Sequence, residues 1–217
     1  MQKIPLIIAI LLLAGCAATT TIDEYRSSDR QLDIEVNETV ALLGRRDAGH
    51  YETDAEFVEC VGDNLSSTQL KVLPEAELMD ALYPWLEPRT APKGLLRMRQ
   101  LMQEGPLIKS AVKDYGIRYF VWLDGSTETA GQSGSMSCAA GPGGAGCFGF
   151  ATWDKTSIYE AIVWDLDAFS EVARVRVDSE GTSYLIGAVA PIPLLTPVKN
   201  DACKGIGQQL HNLFNPK

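Results

Sequence analysis

Tyr119-Phe120-Val121-Trp122-Leu123 is an unbroken apolar run that begins three residues after Gly116. A strand that is apolar on both faces needs cover on both, which places it at the centre of a sheet. The segments before it supply that cover. Pro106 fits the first turn of a helix with Leu107, Ile108, Ala111, Val112 and Tyr115 on one side, and Gly116 ends it. Gly94 to Gln103 predicts another helix, with Leu95, Met98, Leu101 and Met102 buried. Asp54 can cap a helix reaching Ser66, and Glu75 to Leu86 predicts one that Pro84 should stop or kink. Short apolar runs at Glu38–Gly44 and Gln69–Leu73 fall between these helices as strands.

Downstream, Ser157–Leu166 and Glu171–Asp178 predict a hairpin, with Arg174, Arg176 and Asp178 on a half-exposed face. Ser183–Ala188 adds a short strand, and the proline-rich Ala190–Pro197 is expected as a connector. Thr196-Pro197 then starts a last helix. Strands separated by helices favour parallel pairing. The expected fold class is α/β: a three-layer or two-layer sandwich, its mixed sheet having a parallel core and an antiparallel hairpin edge. No internal repeat is evident.

The amino terminus carries a different signal. Lys3 precedes an apolar stretch from Ile4 to Ala14, shorter than the ~20 residues that a spanning helix requires. A charged start, a short apolar core and small residues after it describe a signal peptide. Its end, Leu13-Ala14-Gly15-Cys16, resembles the bacterial lipobox. That resemblance implies cleavage before Cys16 and acylation of Cys16. With Ala17 rather than Asp next, it also implies transfer to the outer membrane. The expected organisation is a signal peptide over 1–15, a lipidated Cys16 with a flexible tether over 16–33, and one periplasmic domain over 34–217.

Four cysteines remain: Cys60, Cys138, Cys147 and Cys203. An even number in an exported chain predicts two disulfides, for which three pairings exist. Cys138 and Cys147 bracket a short Gly-rich segment, so the local bridge is expected, which leaves Cys60 for Cys203. Four thiolates around zinc is the competing reading, but no C-x-x-C pair is present.

Charge excludes whole classes of partner. The chain has 19 Lys and Arg against 28 Asp and Glu, a net charge of −9. Loss of residues 1–15 removes only Lys3 and leaves −10. A phosphate-backbone binder needs a basic face, so nucleic acid is not an expected partner. Electrostatic attraction to an anionic membrane is likewise not expected. The expected hold on a bilayer is the acylated Cys16.

Candidate sites are few. Gly125–Gly149 holds eight glycines and is expected as a loop. Within it Gly141, Gly143 and Gly144, with Phe148 and Trp153, are candidates for presenting backbone and aromatic groups to a ligand or partner. The segment lacks the Gly-Lys-Ser/Thr ending of a phosphate-binding P-loop. Asp124, Asp165 and Asp167 fall at strand ends, where α/β proteins place their sites, and are candidates for a carboxylate pair or cation site. Glu160, within an apolar strand, should be either exposed or paired with an arginine, and exposure is the favoured expectation. His50 and His211 lie in no motif, no G-x-S-x-G or H-E-x-x-H occurs, and no cofactor or metal is expected.

Several segments resemble a group of uncharacterised bacterial lipoproteins: Leu70–Pro74, Ala81–Pro88, Tyr119–Gly125, Ser137–Gly149, Tyr159–Leu166 and Gly181–Tyr184. That resemblance implies a fold and a cellular address but no activity. The layout of helices and closing hairpin is also similar to curli-secretion-type lipoproteins and to the amino-terminal domain of the Tol-system propeller protein. The expected function is a non-enzymatic, membrane-anchored interaction or assembly domain with an envelope protein partner. The alternative is a small-ligand or enzymatic domain using the strand-end carboxylates or the Gly-rich segment.

Overall fold

The structure, a computed structural model, describes residues 18–27, 32–47, 51–67, 70–86, 95–142, 144–187 and 191–214. The signal peptide, Cys16, His50 and Gly143 lie outside them. In chain order the strands are β1 (Thr19–Arg26), β2 (Thr39–Gly44), β3 (Arg46–Asp47), β4 (Tyr51–Glu52), β5 (Lys71–Leu73), β6 (Ile117–Gly141), β7 (Gly144–Asp165), β8 (Ser170–Gly187) and β9 (Pro191–Leu194). The helices are α1 (Ala55–Leu65), α2 (Glu75–Ala81), α3 (Leu95–Glu104), α4 (Pro106–Asp114) and α5 (Val198–Phe214).

The main sheet runs β1-β8-β7-β6-β2-β5, with β9 paired to β8. β2 is parallel to both β5 and β6, and every other pairing in this sheet is antiparallel. The expected α/β class, with its mixed sheet, is what forms. β2 is buried along its whole length, and Tyr119–Leu123 of β6 lies beside it at the centre. Alternate residues feed two cores. Val40, Leu42, Val121, Leu123, Val163 and Val175 pack with α1 and α5. On the other face Ala41, Leu43, Phe120, Trp122 and Trp164 pack with α2, α3 and α4. Each fully buried aliphatic side chain contributes about 1.5–3 kcal/mol.

The helix signals act locally as expected. The Asp54 side chain accepts from the Glu56 amide at 2.9 Å, capping α1, and Lys199 of α5 reaches Asp54 at 2.7 Å. That ammonium holds the Asp54 carboxyl below its ordinary range. Phe57, Val58, Val61 and Leu65 form the buried side of α1. α2 ends at Ala81, and Leu82–Leu86 turn instead of extending the helix. Cys60 is bonded to Cys203, joining α1 to α5 with 6.1 Å between Cα atoms. Gly207 lets these helices approach: a Cβ there would fall 2.5 Å from that of Asn64.

Four expectations need correction. The tether expected over 16–33 contains β1, which pairs with β8 from Thr19↔Glu180 to Arg26↔Ala173. Unpaired edge groups of β8 recruit this polar segment through its backbone, without an apolar pattern. β8 is consequently not an edge strand. The connector over 190–197 contains β9, whose prolines sit on an outer strand where a missing N–H is tolerated. Where a Gly-rich loop was expected over 125–149, β6 and β7 pair antiparallel from Gly125↔Tyr159 to Gly141↔Gly144, with a register shift between Ala130 and Ser133.

Candidate functional site

A row of hydroxyls crosses the sheet where it leaves its helices. Thr127 lies 2.7 Å from Ser157, and Ser179, paired with Ser157, lies 3.0 Å from Thr20. The Tyr159 hydroxyl joins the row at 3.2 Å from Thr127, its ring stacked on Phe57 of α1. Beyond this row β6, β7, β8 and β9 continue as a four-stranded extension whose outer residues are largely exposed. At ~3.3 Å per residue, β7 from Trp153 to Gly144 spans about 30 Å.

Gly125 sits at the root of the extension with φ +146°, and a Cβ there would fall 2.3 Å from the Ile158 carbonyl oxygen. Only glycine allows so close an approach. Cys138 and Cys147 are cross-strand partners joined by the second disulfide, their Cα atoms 4.0 Å apart. The two cysteines flank Pro142-Gly143 symmetrically in the sequence. A Pro-Gly pair centred between cross-linkable positions is the signal that could have marked a hairpin turn within the expected loop.

This geometry redistributes the expected loop residues. Gly141 and Gly144 pair with each other at the tip. Phe148 pairs with Ser137 and is 67% exposed, whereas Trp153 pairs with Ser183 of β8 and is half-buried. Five residues apart on one strand, Phe148 and Trp153 point to opposite faces. They do not form one cluster, and Gly141 and Gly144 run as paired strand rather than as a nest around an anion. Phe148 instead shares a face with Phe150, which pairs with Ile186 and lies 6.0 Å from the Tyr184 ring.

The acidic candidates separate. Asp124 is opposite Glu160 and holds Arg45 at 2.9 Å. Asp165 is opposite Tyr119, about 16 Å further along β7 at ~3.3 Å per residue. Arg118 grips Asp165 with both terminal nitrogens, and the amides of Asp167 and Ala168 donate to the same carboxylate at 2.8 Å. Burial pushes the Asp165 carboxyl up, but Arg118 and these amides outweigh it and hold it below its ordinary range. Asp167, 3.4 Å from the Arg118 Nε, is largely exposed. Asp165 and Asp167 thus share one arginine, and Asp124 is not with them. Each carboxylate is tied in an ion pair, an arrangement that fixes backbone more readily than it moves protons. Glu160 is likewise paired, with both oxygens 3.0 Å from Arg174, which also binds Glu171. Exposure was the favoured expectation, and the arginine pairing is what forms. Its partner comes from the adjacent strand.

Two of the clefts formed by the described residues are of modest size. One of about 380 Å³ lies between α4 and the turn after β7, where Lys109, Lys113, Arg118, Glu38, Asp167 and Phe169 meet. The other, of about 370 Å³, lies between α1 and β5 beside Val58, Gly62, Asp63, Val72 and Glu75. Among the described residues no group of three or more His, Cys, Asp or Glu is placed to hold a metal ion. No described helix is long and apolar enough to cross a membrane.

No protein-family model matches the chain, and no curated protein matches it. Solved structures show distant likeness, two of them as follows. A leucine-to-methionine variant of the PelC dodecamer from Paraburkholderia phytofirmans is 9% identical with a TM-score of 0.44, covering 92% of this chain and 100% of that one. The PelC dodecamer from the same organism is 10% identical with a TM-score of 0.40, covering 89% and 98%. Likeness this distant bears on no property of this chain.

Proposed function

We propose that the chain is a bacterial envelope lipoprotein, anchored to the outer membrane by acylated Cys16 and facing the periplasm. Its folded part is a non-enzymatic interaction or assembly domain. The observation that carries this reading is the uncovered surface of the antiparallel half. The core beneath α2, α3 and α4 reaches β7 only at Ile162 and Trp164, and among the described residues β8 and β1 add no side chain to it. There the exposed Tyr25 and Ile158 lie among Arg174, Arg176, Asp178 and Glu160. Apolar anchors ringed by charges suit a protein contact better than a reaction. Two disulfides fit an oxidising compartment. The distance between Asp124 and Asp165 along β7 weighs against a reaction built on those two carboxylates.

Photo-crosslinking residues placed at Tyr25 and at Ile158 test the reading in intact cells. A discrete crosslinked species from both positions is expected. No species from either, with a monomer by light scattering, would count against an interaction domain.

A further inference from the structure

We propose that the distal end of the four-stranded extension docks on a lipid bilayer surface, the one that would hold the acyl chains of Cys16. The inference deepens the lipoprotein reading and rests on it for the identity of that membrane.

Charge stops abruptly along the extension. No Asp, Glu, Lys or Arg occurs between Thr129 and Trp153, nor between Gly181 and Val198. The last charges, Glu128, Asp154, Lys155 and Glu180, fall close to one level of the sheet: Glu128 and Glu180 both pair with Thr156, and Lys155 and Asp154 are the two residues before it on β7. In a chain that is 22% charged, an end without charge is the part that loses least on entering a membrane interface.

One face of that end is also apolar and open. Phe148 is 67% exposed, Phe150 47% and Ile186 39%, with Tyr184 beside Phe150. Across β6 the same face continues as Ser133, Ser135 and Ser137, partners of Thr152, Phe150 and Phe148. Aromatic rings next to a line of hydroxyls match the acyl–headgroup boundary, where apolar bodies and polar groups are both satisfied. Full insertion of a single chain does not fit. Past Leu123 no described strand pairs with the outer edge of β6, and unpaired backbone groups are not tolerated in the hydrocarbon core. An interfacial position satisfies that edge with water and headgroups.

The start of β1 points to the same place. β1 begins at Thr19, opposite Glu180 on the charge boundary. Because β1 is antiparallel to β8, its first residue is at the end of β1 toward which β8 runs outward. Cys16 is three residues away, a reach of at most about 11 Å. An acyl anchor there would enter the bilayer beside the uncharged end. Acyl chains and extension would then hold the domain at two points.

The test uses residues 16–217 carrying Cys16→Ser, which cannot be acylated and lack the apolar stretch Ile4–Ala14, mixed with phosphatidylcholine vesicles and separated by flotation. This form should float with the vesicles, and adding Phe148→Asp with Phe150→Asp should lower the floating fraction about tenfold or more. Circular dichroism and non-reducing mass analysis would establish that both forms fold and keep their disulfides. A folded Cys16→Ser chain that stays at the bottom overturns the proposal, as does an aspartate variant that floats equally well. A stable oligomer in solution that shields Phe148 and Phe150 overturns it in favour of a second copy. If Cys16→Ser floats but the native chain proves unacylated, lipid docking stands and the lipoprotein reading fails.

Discussion

Removal of the Cys60–Cys203 bridge should destabilise the whole domain, whereas removal of Cys138–Cys147 should loosen only the extension. The first bridge joins residues 143 apart, and the chain-entropy relation assigns such a ring about 5 kcal/mol. That is an upper figure because an unfolded chain keeps some compactness, and about 3 kcal/mol is the working expectation. Cys203 is buried between α5 and the sheet, in the core that also contains Val61 and Leu210. For a domain of this size each kcal/mol shifts Tm by about 2–4 °C, so Cys60→Ala with Cys203→Ala should lower Tm by roughly 6–12 °C. The second bridge joins residues 9 apart, for which the same relation gives about 2.5 kcal/mol. It lies past the helices, in a region that can open without the core. Cys138→Ala with Cys147→Ala should therefore move Tm by less than about 2 °C and instead speed amide exchange over 133–153. Calorimetry and hydrogen exchange on the two double variants read both effects. A larger Tm loss from the hairpin pair than from the helix pair would refute the view that the extension is energetically separate.

Further outcomes follow from the ion pairs and the root of the extension. Asp165→Asn leaves Arg118 without its bidentate partner and should cost about 2 kcal/mol at neutral pH, measured by urea unfolding. Because folding lowers the Asp165 pKa, its stabilisation is complete above the unfolded value near ~3.9 and is lost as pH falls through the folded value. The gap between native and variant should close across that acid range, and a gap that persists below it would contradict the assignment. Gly125→Ala drives a Cβ into the Ile158 carbonyl and should cost about 1–3 kcal/mol, visible as a lower urea midpoint. An unchanged midpoint would mean that β6 and β7 do not approach so closely there.

Much of the body was legible from residue pattern alone. Tyr119–Leu123 is apolar on both faces and forms the centre of the sheet, because no other position covers both sides. Asp54, Pro106 and Gly116 mark helix boundaries because each satisfies or releases specific backbone groups. β1 was hidden because its side chains are mostly exposed and its pairing is made by the backbone. The hairpin over 125–149 was hidden by composition: glycine marks turns in most contexts, and here it permits close approach between long strands. Glu160 found Arg174 through a register that no local pattern encodes. The separation of Asp124 from Asp165 follows from that register too: Asp165 ends β7, whereas Asp124, expected at a strand end, lies inside the long β6 opposite Glu160.

The anchor is the premise on which the envelope reading stands, and intact mass spectrometry of the chain purified from cell envelopes without reduction tests it most directly. The account predicts a polypeptide beginning at Cys16, with the added mass of its acyl groups and the hydrogen deficit of two disulfides. A chain that retains residues 1–15, or one whose Cys16 carries no lipid, would contradict it.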